Sequence, residues 1–164
     1  SGIRKKFPNL DYTGVDAYDY YIDSAQQAFA NDPLAKFAVK DIFKSLFPKN
    51  KFDIVYCCNV LLHLPDFRKP ITNLLESTKK VCFVRTLLSD HTNIVKSPTE
   101  EEYDEDGNPL NYWYFNTWNK NYFIDFIENG FFQKKKKKSS RSVSCRLTKG
   151  IIAVNYEAKI KKKS

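Results

Sequence analysis

The run FDIVYCCNVLLHLPD, residues 52 to 66, decides the fold. Within KFDIVYCCNVLL (51 to 62) apolar and aromatic residues are nearly continuous, which is the pattern of a central parallel strand buried on both faces. Asn59 falls at the strand's end, and His63 follows one helical turn later. Asp66 then stands where it can cap a helix that carries Phe67, Ile71, Leu74 and Leu75 on one stripe.

Working outward, the same alternation of strand and helix recurs. LDYTGVDAY (10 to 18) reads as a short strand ending at Asp16. IDSAQQAFAND (22 to 32) reads as a helix with Ile22, Ala25, Ala28 and Phe29 on one stripe, closed by Asn31-Asp32-Pro33. KFAVKDIF (36 to 43) is the next strand, and KVCFVRTLL (80 to 88) follows the helix after Asp66. Residues 89 to 111 are polar, acidic in the middle and rich in turn formers, which predicts an excursion over the surface. A helix is expected to begin near Thr117, with Tyr122, Phe123, Phe126 and Ile127 inward and Gly130 closing it. The last part reads as two strands joined around Lys149-Gly150. The expectation is an α/β fold: a mostly parallel sheet with helices on both faces and a C-terminal antiparallel hairpin at one edge.

Composition sets the outer limits. With 164 residues, 42% hydrophobic and 15% aromatic, the chain can bury an ordinary core, and its length predicts one domain over 1 to 164. The net charge of +8 is concentrated in KKKKK (134 to 138) and KIKKK (159 to 163). Cys57, Cys58, Cys82 and Cys145 show no CxxC or Cys/His spacing, so reduced thiols and no metal site are expected. No apolar stretch approaches the ~20 residues that a membrane span requires, and no signal-peptide pattern opens the sequence; a cytoplasmic protein is expected. The sequence contains no methionine.

In a parallel sheet, ligands bind beyond the carboxyl ends of the strands, so the polar residues there carry the functional reading. Asp16 is suited to accept the hydroxyls of a ribose, and Asp41, beside Ile42 and Phe43, to accept from the exocyclic amine of a purine. Taken singly, a strand-end aspartate is most often a turn or capping residue, and a histidine such as His63 an interior hydrogen-bonding one. Three consecutive strand ends carrying such groups point to a nucleotide site.

GVDAY, KDIF and FDIVYCCNVLLHLPD, in this order and at these intervals, resemble motifs II, III and IV of the class I S-adenosylmethionine-dependent methyltransferases, which have a Rossmann-like fold. The HLPD tail is similar to the ubiquinone-biosynthesis type of small-molecule enzyme. The resemblance implies S-adenosylmethionine as cofactor, with Asp16 on the ribose hydroxyls and Ala17 beside it. It implies Asp41 on the adenine amino group, Ile42 on the ring, and Cys58 and Asn59 near the methionyl part. It further implies one-step methyl transfer to an oxygen or nitrogen of a small molecule. His63 is the leading candidate for a base where the acceptor must lose a proton, because imidazole is the side chain that ordinarily titrates nearest neutral pH.

The family's glycine-rich loop is represented only by Ser1-Gly2, with Gly2 as its final glycine. The first strand and part of the first helix are therefore expected to be missing from this sequence. On the acceptor side, residues 89 to 118 are expected to form a substrate-side insertion. Arg85, His91, Tyr112, Trp113 and Trp118 are its candidate contacts, and core packing explains the aromatic cluster equally well. Two other functions fit parts of the sequence. One is nucleic-acid methylation or binding through the basic runs. The other is a non-catalytic, methyltransferase-like interaction module.

Overall fold

The computed structural model describes residues 6–99, 103–131, 141–148 and 151–158. It has mixed α/β architecture and divides into two compact units, Ser1–Leu46 and Phe47–Ser164.

In the first unit, strand β1 (Tyr12–Asp16) leads into helix α1 (Asp19–Ala28) and then strand β2 (Ala35–Val39), which pairs in parallel with β1. Parallel pairing of consecutive strands requires a crossover, and the helical stripe supplies it. Ile22 is its fully buried member. Gly14 lies opposite Phe37 in the register, where a Cβ would come within 2.8 Å of the Phe37 ring. Its absence makes room for that ring to stack on Tyr12 and Phe29, at centroid distances of 5.9 and 5.5 Å.

In the second unit, strand β3 (Phe52–Cys58) runs into a 3-10 turn (Leu61–His63) and helix α2 (Arg68–Ser77), followed by strand β4 (Thr78–Arg85). β3 and β4 are parallel, and α2 packs on both. The helix is anchored as its stripe predicts, since Phe67, Ile71, Leu74 and Leu75 are all buried. Asp66 stands one residue before the cap position, which Phe67 occupies. Its carboxylate accepts the Arg68 backbone N–H at 2.8 Å and pairs with the Arg68 guanidinium at 2.6 Å. That ion pair holds the Asp66 carboxyl below the usual carboxylate range.

The C-terminal strands β9 (Arg141–Thr148) and β10 (Ile151–Ala158) form the expected antiparallel hairpin. β10 pairs antiparallel with β4, which gives the order β3-β4-β10-β9. The residues joining the two strands, Lys149 and Gly150, lie outside the described residues.

Two expectations are corrected here. Among the described residues β3 stands at the edge of its sheet, and although Cys57 is buried, Ile54 and Tyr56 are 58% and 61% exposed. An apolar run reports composition; burial on both faces needs a covering element on each. Tyr122 is also exposed. The helix it belongs to, α3 (Lys120–Asp125), continues as a π-helical turn (Phe126–Phe131), and the inward positions fall on Phe123 and Ile127.

Between Leu88 and Asn119 the described residues include short paired segments: β5 (Leu88–Ser89) with β8 (Trp118–Asn119) in parallel, and β6 (Lys96–Pro98) with β7 (Tyr112–Tyr114) antiparallel. The predicted surface excursion is thus folded at its base, where Asn93 and Thr117 also exchange backbone hydrogen bonds of 2.8 and 2.9 Å.

Candidate functional site

In the first unit, two carboxylates stand at the carboxyl ends of neighbouring parallel strands. Asp16 closes β1, and its carbonyl accepts the Lys40 N–H at 2.7 Å, tying the ends of the strands together. One carboxylate oxygen of Asp16 accepts the Tyr18 N–H at 3.0 Å; Ala17, between them, is exposed. Asp41 lies two residues beyond β2, where one oxygen accepts the Phe43 N–H at 2.8 Å and the other is 3.8 Å from the Lys44 ammonium. Ile42, between them, is half-buried. Both aspartates therefore have the turn role that a single strand-end aspartate usually has. A carboxylate carries about four lone-pair sites, so one backbone partner leaves acceptor capacity for hydroxyl or amine donors. That donor chemistry fits a ribose and an adenine amine.

In the second unit, the chain leaves β3 through Cys58 and Asn59. Asn59 has a positive φ of 55°, a conformation that asparagine tolerates better than most residues, and its N–H donates to the Arg85 carbonyl at 2.9 Å. The ends of β3 and β4 are thereby joined. The Cys58 thiol beside the exposed Tyr56 hydroxyl pushes the phenol above its ordinary pKa. Burial pushes the Cys57 and Cys82 thiols up to about 12, keeping both protonated and inert at neutral pH.

His63 is exposed at the end of the 3-10 turn, and its Nδ1 lies 2.9 Å from the Tyr114 carbonyl oxygen. A carbonyl can only accept, so this contact places the hydrogen on Nδ1. In the neutral ring the lone pair is then on Nε2, the arrangement of a base. The Phe115 ring stands beside the imidazole at a centroid distance of 6.0 Å and is itself 47% exposed.

The remaining acceptor-side candidates divide. Trp113 is 45% exposed, and the Tyr112 ring carries the Lys96 ammonium 3.4 Å from its centroid. Arg85 and His91 are exposed, with the His91 N–H 3.3 Å from the Ser89 hydroxyl. Trp118 lies in the core: it is 4% exposed, meets the Phe67 ring edge-on at 5.0 Å, and donates from its indole N–H to the Leu61 carbonyl at 3.2 Å. The residue that sequence reasoning missed is Asn116, fully buried and hydrogen-bonded to the turn that bears His63. No local pattern marks it, because its partners lie about fifty residues away.

Gly2 and both basic runs lie outside the described residues. Among the described residues, no group of three or more His, Cys, Asp and Glu side chains could hold a metal ion. No helix there is long and apolar enough to cross a membrane.

The model of a family described as "Methyltransferase domain" matches residues 3–81. An uncharacterised methyltransferase of Schizosaccharomyces pombe is 30% identical over 111 residues, covering 63% of this chain and 40% of the relative. The sterol 24-C-methyltransferase of Neurospora crassa is 36% identical over 63 residues, covering 37% of this chain and 17% of the relative. The chain thus spans well under half the length of either. The solved structure of a SAM-dependent methyltransferase from Methanosarcina mazei superposes with a TM-score of 0.56 at 13% identity, covering 89% of this chain and 81% of that one. At that identity, the likeness is one of fold.

Proposed function

We propose that the chain is a class I S-adenosylmethionine-dependent methyltransferase, a reading supported by the match to a methyltransferase-domain family over residues 3–81, and that it methylates an oxygen or nitrogen atom of a small molecule with an apolar part. The observation that carries this reading is His63: an exposed imidazole, oriented by the Tyr114 carbonyl, beside the exposed ring of Phe115.

When bound, the cofactor supplies a methyl group already activated by the positive sulfur, so the protein's contribution is chiefly binding and alignment. Asp16 accepts from the ribose hydroxyls and Asp41 from the adenine amine, with Ala17 and Ile42 flanking them. The family resemblance assigns Cys58 and Asn59, in the second unit, to the methionyl part. Trp113 and Phe115 hold the apolar part of the acceptor, with Arg85 and His91 available to its polar groups. The bound cofactor would supply the methyl group and keep the electron pair of its carbon–sulfur bond on sulfur. Nε2 of His63 takes the acceptor's proton.

The likeness to a sterol 24-C-methyltransferase, together with the exposed Trp113 and Phe115, favours a second reading, an apolar carbon acceptor. A carbon acceptor must also shed a proton after methylation, and His63 would keep its role.

Calorimetric titration with S-adenosylmethionine tests the proposal. Micromolar binding is expected, followed by transfer of a deuterated methyl group from the cofactor to an acceptor fraction. The linkage of that methyl group in the product, O–CH3, N–CH3 or C–CH3, separates the two readings. Absence of binding by the folded protein would overturn both and leave an interaction module.

A further inference from the structure

His63 is held by more than its ring contact. Its own N–H donates to the Val60 carbonyl at 2.9 Å. The carbonyls on either side of it, Leu62 and Leu64, are both taken by Asn116: the Asn116 backbone N–H donates to Leu62 at 2.8 Å, and the side-chain amide donates to Leu64 at 2.8 Å. The amide oxygen of the same side chain accepts the Val95 N–H at 3.2 Å. Phe115, next in the chain, donates to the Val95 carbonyl at 3.0 Å.

Asn116 is entirely buried, and removing such a group strands donors and acceptors in a dry environment. The Asn116 amide bridges the Leu64 carbonyl and the Val95 N–H with two separate atoms, a donor nitrogen and an acceptor oxygen, whereas a serine hydroxyl offers a single atom on a shorter arm. The residue two places before it, Tyr114, supplies the carbonyl that meets His63 Nδ1.

We infer that Asn116 is a positioning residue, which fixes the tautomer and direction of the His63 imidazole by clamping the backbone on both sides of His63 to the strand that carries the Tyr114 carbonyl. Its catalytic consequence rests on the reading of His63 as the base; its effect on the imidazole does not. With the clamp, Nδ1 carries the hydrogen and Nε2 is presented to the acceptor. Without it, the 61–64 turn shifts relative to Tyr114, and the ring's tautomers are distributed as they are in water.

The chain has only two histidines, His63 and His91, so the ring can be observed directly. In protein labelled with ¹⁵N-histidine, two-dimensional ¹H–¹⁵N spectra report which ring nitrogen carries the hydrogen, and His91→Gln assigns the signals. The unaltered protein is expected to show His63 as the Nδ1–H tautomer. Asn116→Ser is expected to lose that preference. It should also lower kcat roughly tenfold or more while leaving the Kd for S-adenosylmethionine within about twofold, and add nothing on a His63→Ala background.

An Nε2–H tautomer in the unaltered protein overturns the inference, as does a folded Asn116→Ser variant that retains Nδ1–H. If Asn116→Ser does not fold, Asn116→Asp carries the same test, since it keeps the side chain's shape and the acceptor for Val95 but removes the donor to Leu64. A shifted tautomer with unchanged kcat sustains the positioning role and sinks His63 as the base, so the two ideas fail separately.

Discussion

His63 and Tyr114 are 51 residues apart in sequence, yet the imidazole Nδ1 of one lies 2.9 Å from the carbonyl oxygen of the other. This contact gives the ring a defined donor side and a defined basic side. His63→Ala is therefore expected to reduce kcat by about 10²- to 10⁴-fold, the usual contribution of a general base. Cofactor affinity should stay nearly unchanged. Single-turnover methyl transfer at saturating cofactor measures it, and an unchanged rate would remove His63 from the reaction.

Asp16 makes a different prediction, because its proposed partner is the cofactor. Asp16→Ala is expected to weaken S-adenosylmethionine binding about tenfold, near 1.4 kcal/mol, as for loss of a charge-assisted hydrogen bond. The Tyr18 N–H, which the carboxylate now accepts, loses its partner as well. Thermal unfolding without cofactor gives the cost to stability, and calorimetry gives the cost to binding.

Phe67 sits at the centre of an aromatic cluster with Trp118, Phe123, Phe126 and Tyr122, at centroid distances from 4.6 to 5.8 Å. It is 2% exposed. Phe67→Ala is expected to cost about 3–5 kcal/mol of stability through lost burial and the cavity left behind. Denaturant unfolding measures this, and a loss below about 1 kcal/mol would mean that the cluster repacks around the gap.

Cys57 and Cys82 are buried thiols pushed from an ordinary value of 9.0 up to about 12. Above pH 9 the unfolded chain releases these protons while the folded chain keeps them. The stability they contribute is complete below pH 9 and is lost as pH rises from 9 through 12. The melting temperature should fall across that window, and less steeply in Cys57→Ala/Cys82→Ala. Equal slopes in the two proteins would show that other groups drive the alkaline loss.

The alternation of strands and helices was legible because each element carries its own period: the stripe Phe67, Ile71, Leu74 and Leu75 is buried as spacing predicts. The C-terminal hairpin was legible for the same reason. Coverage was not. Ile54 and Tyr56 are as apolar as any buried strand residue, but sequence does not say whether a second layer lies over them. Trp118 and Trp113 look alike in a string of aromatics, and only the fold sends one to the core and leaves the other exposed. Asn116 was invisible for a related reason, since its importance comes from Leu62, Leu64 and Val95, none of them near it in sequence.

That last feature also bears on the order in which the molecule assembles. The side-chain bonds that tie the 61–64 turn to residues 114 to 118 span 51 to 57 residues. Closing so long a loop carries an entropic cost before any contact offsets it. On a growing polypeptide, β3 can form with its neighbours while the turn after it still lacks the partners that shape it. The geometry around His63 is complete only after residues 114 to 118 have been synthesised and docked, which makes the proposed base one of the later parts of its unit to take final form.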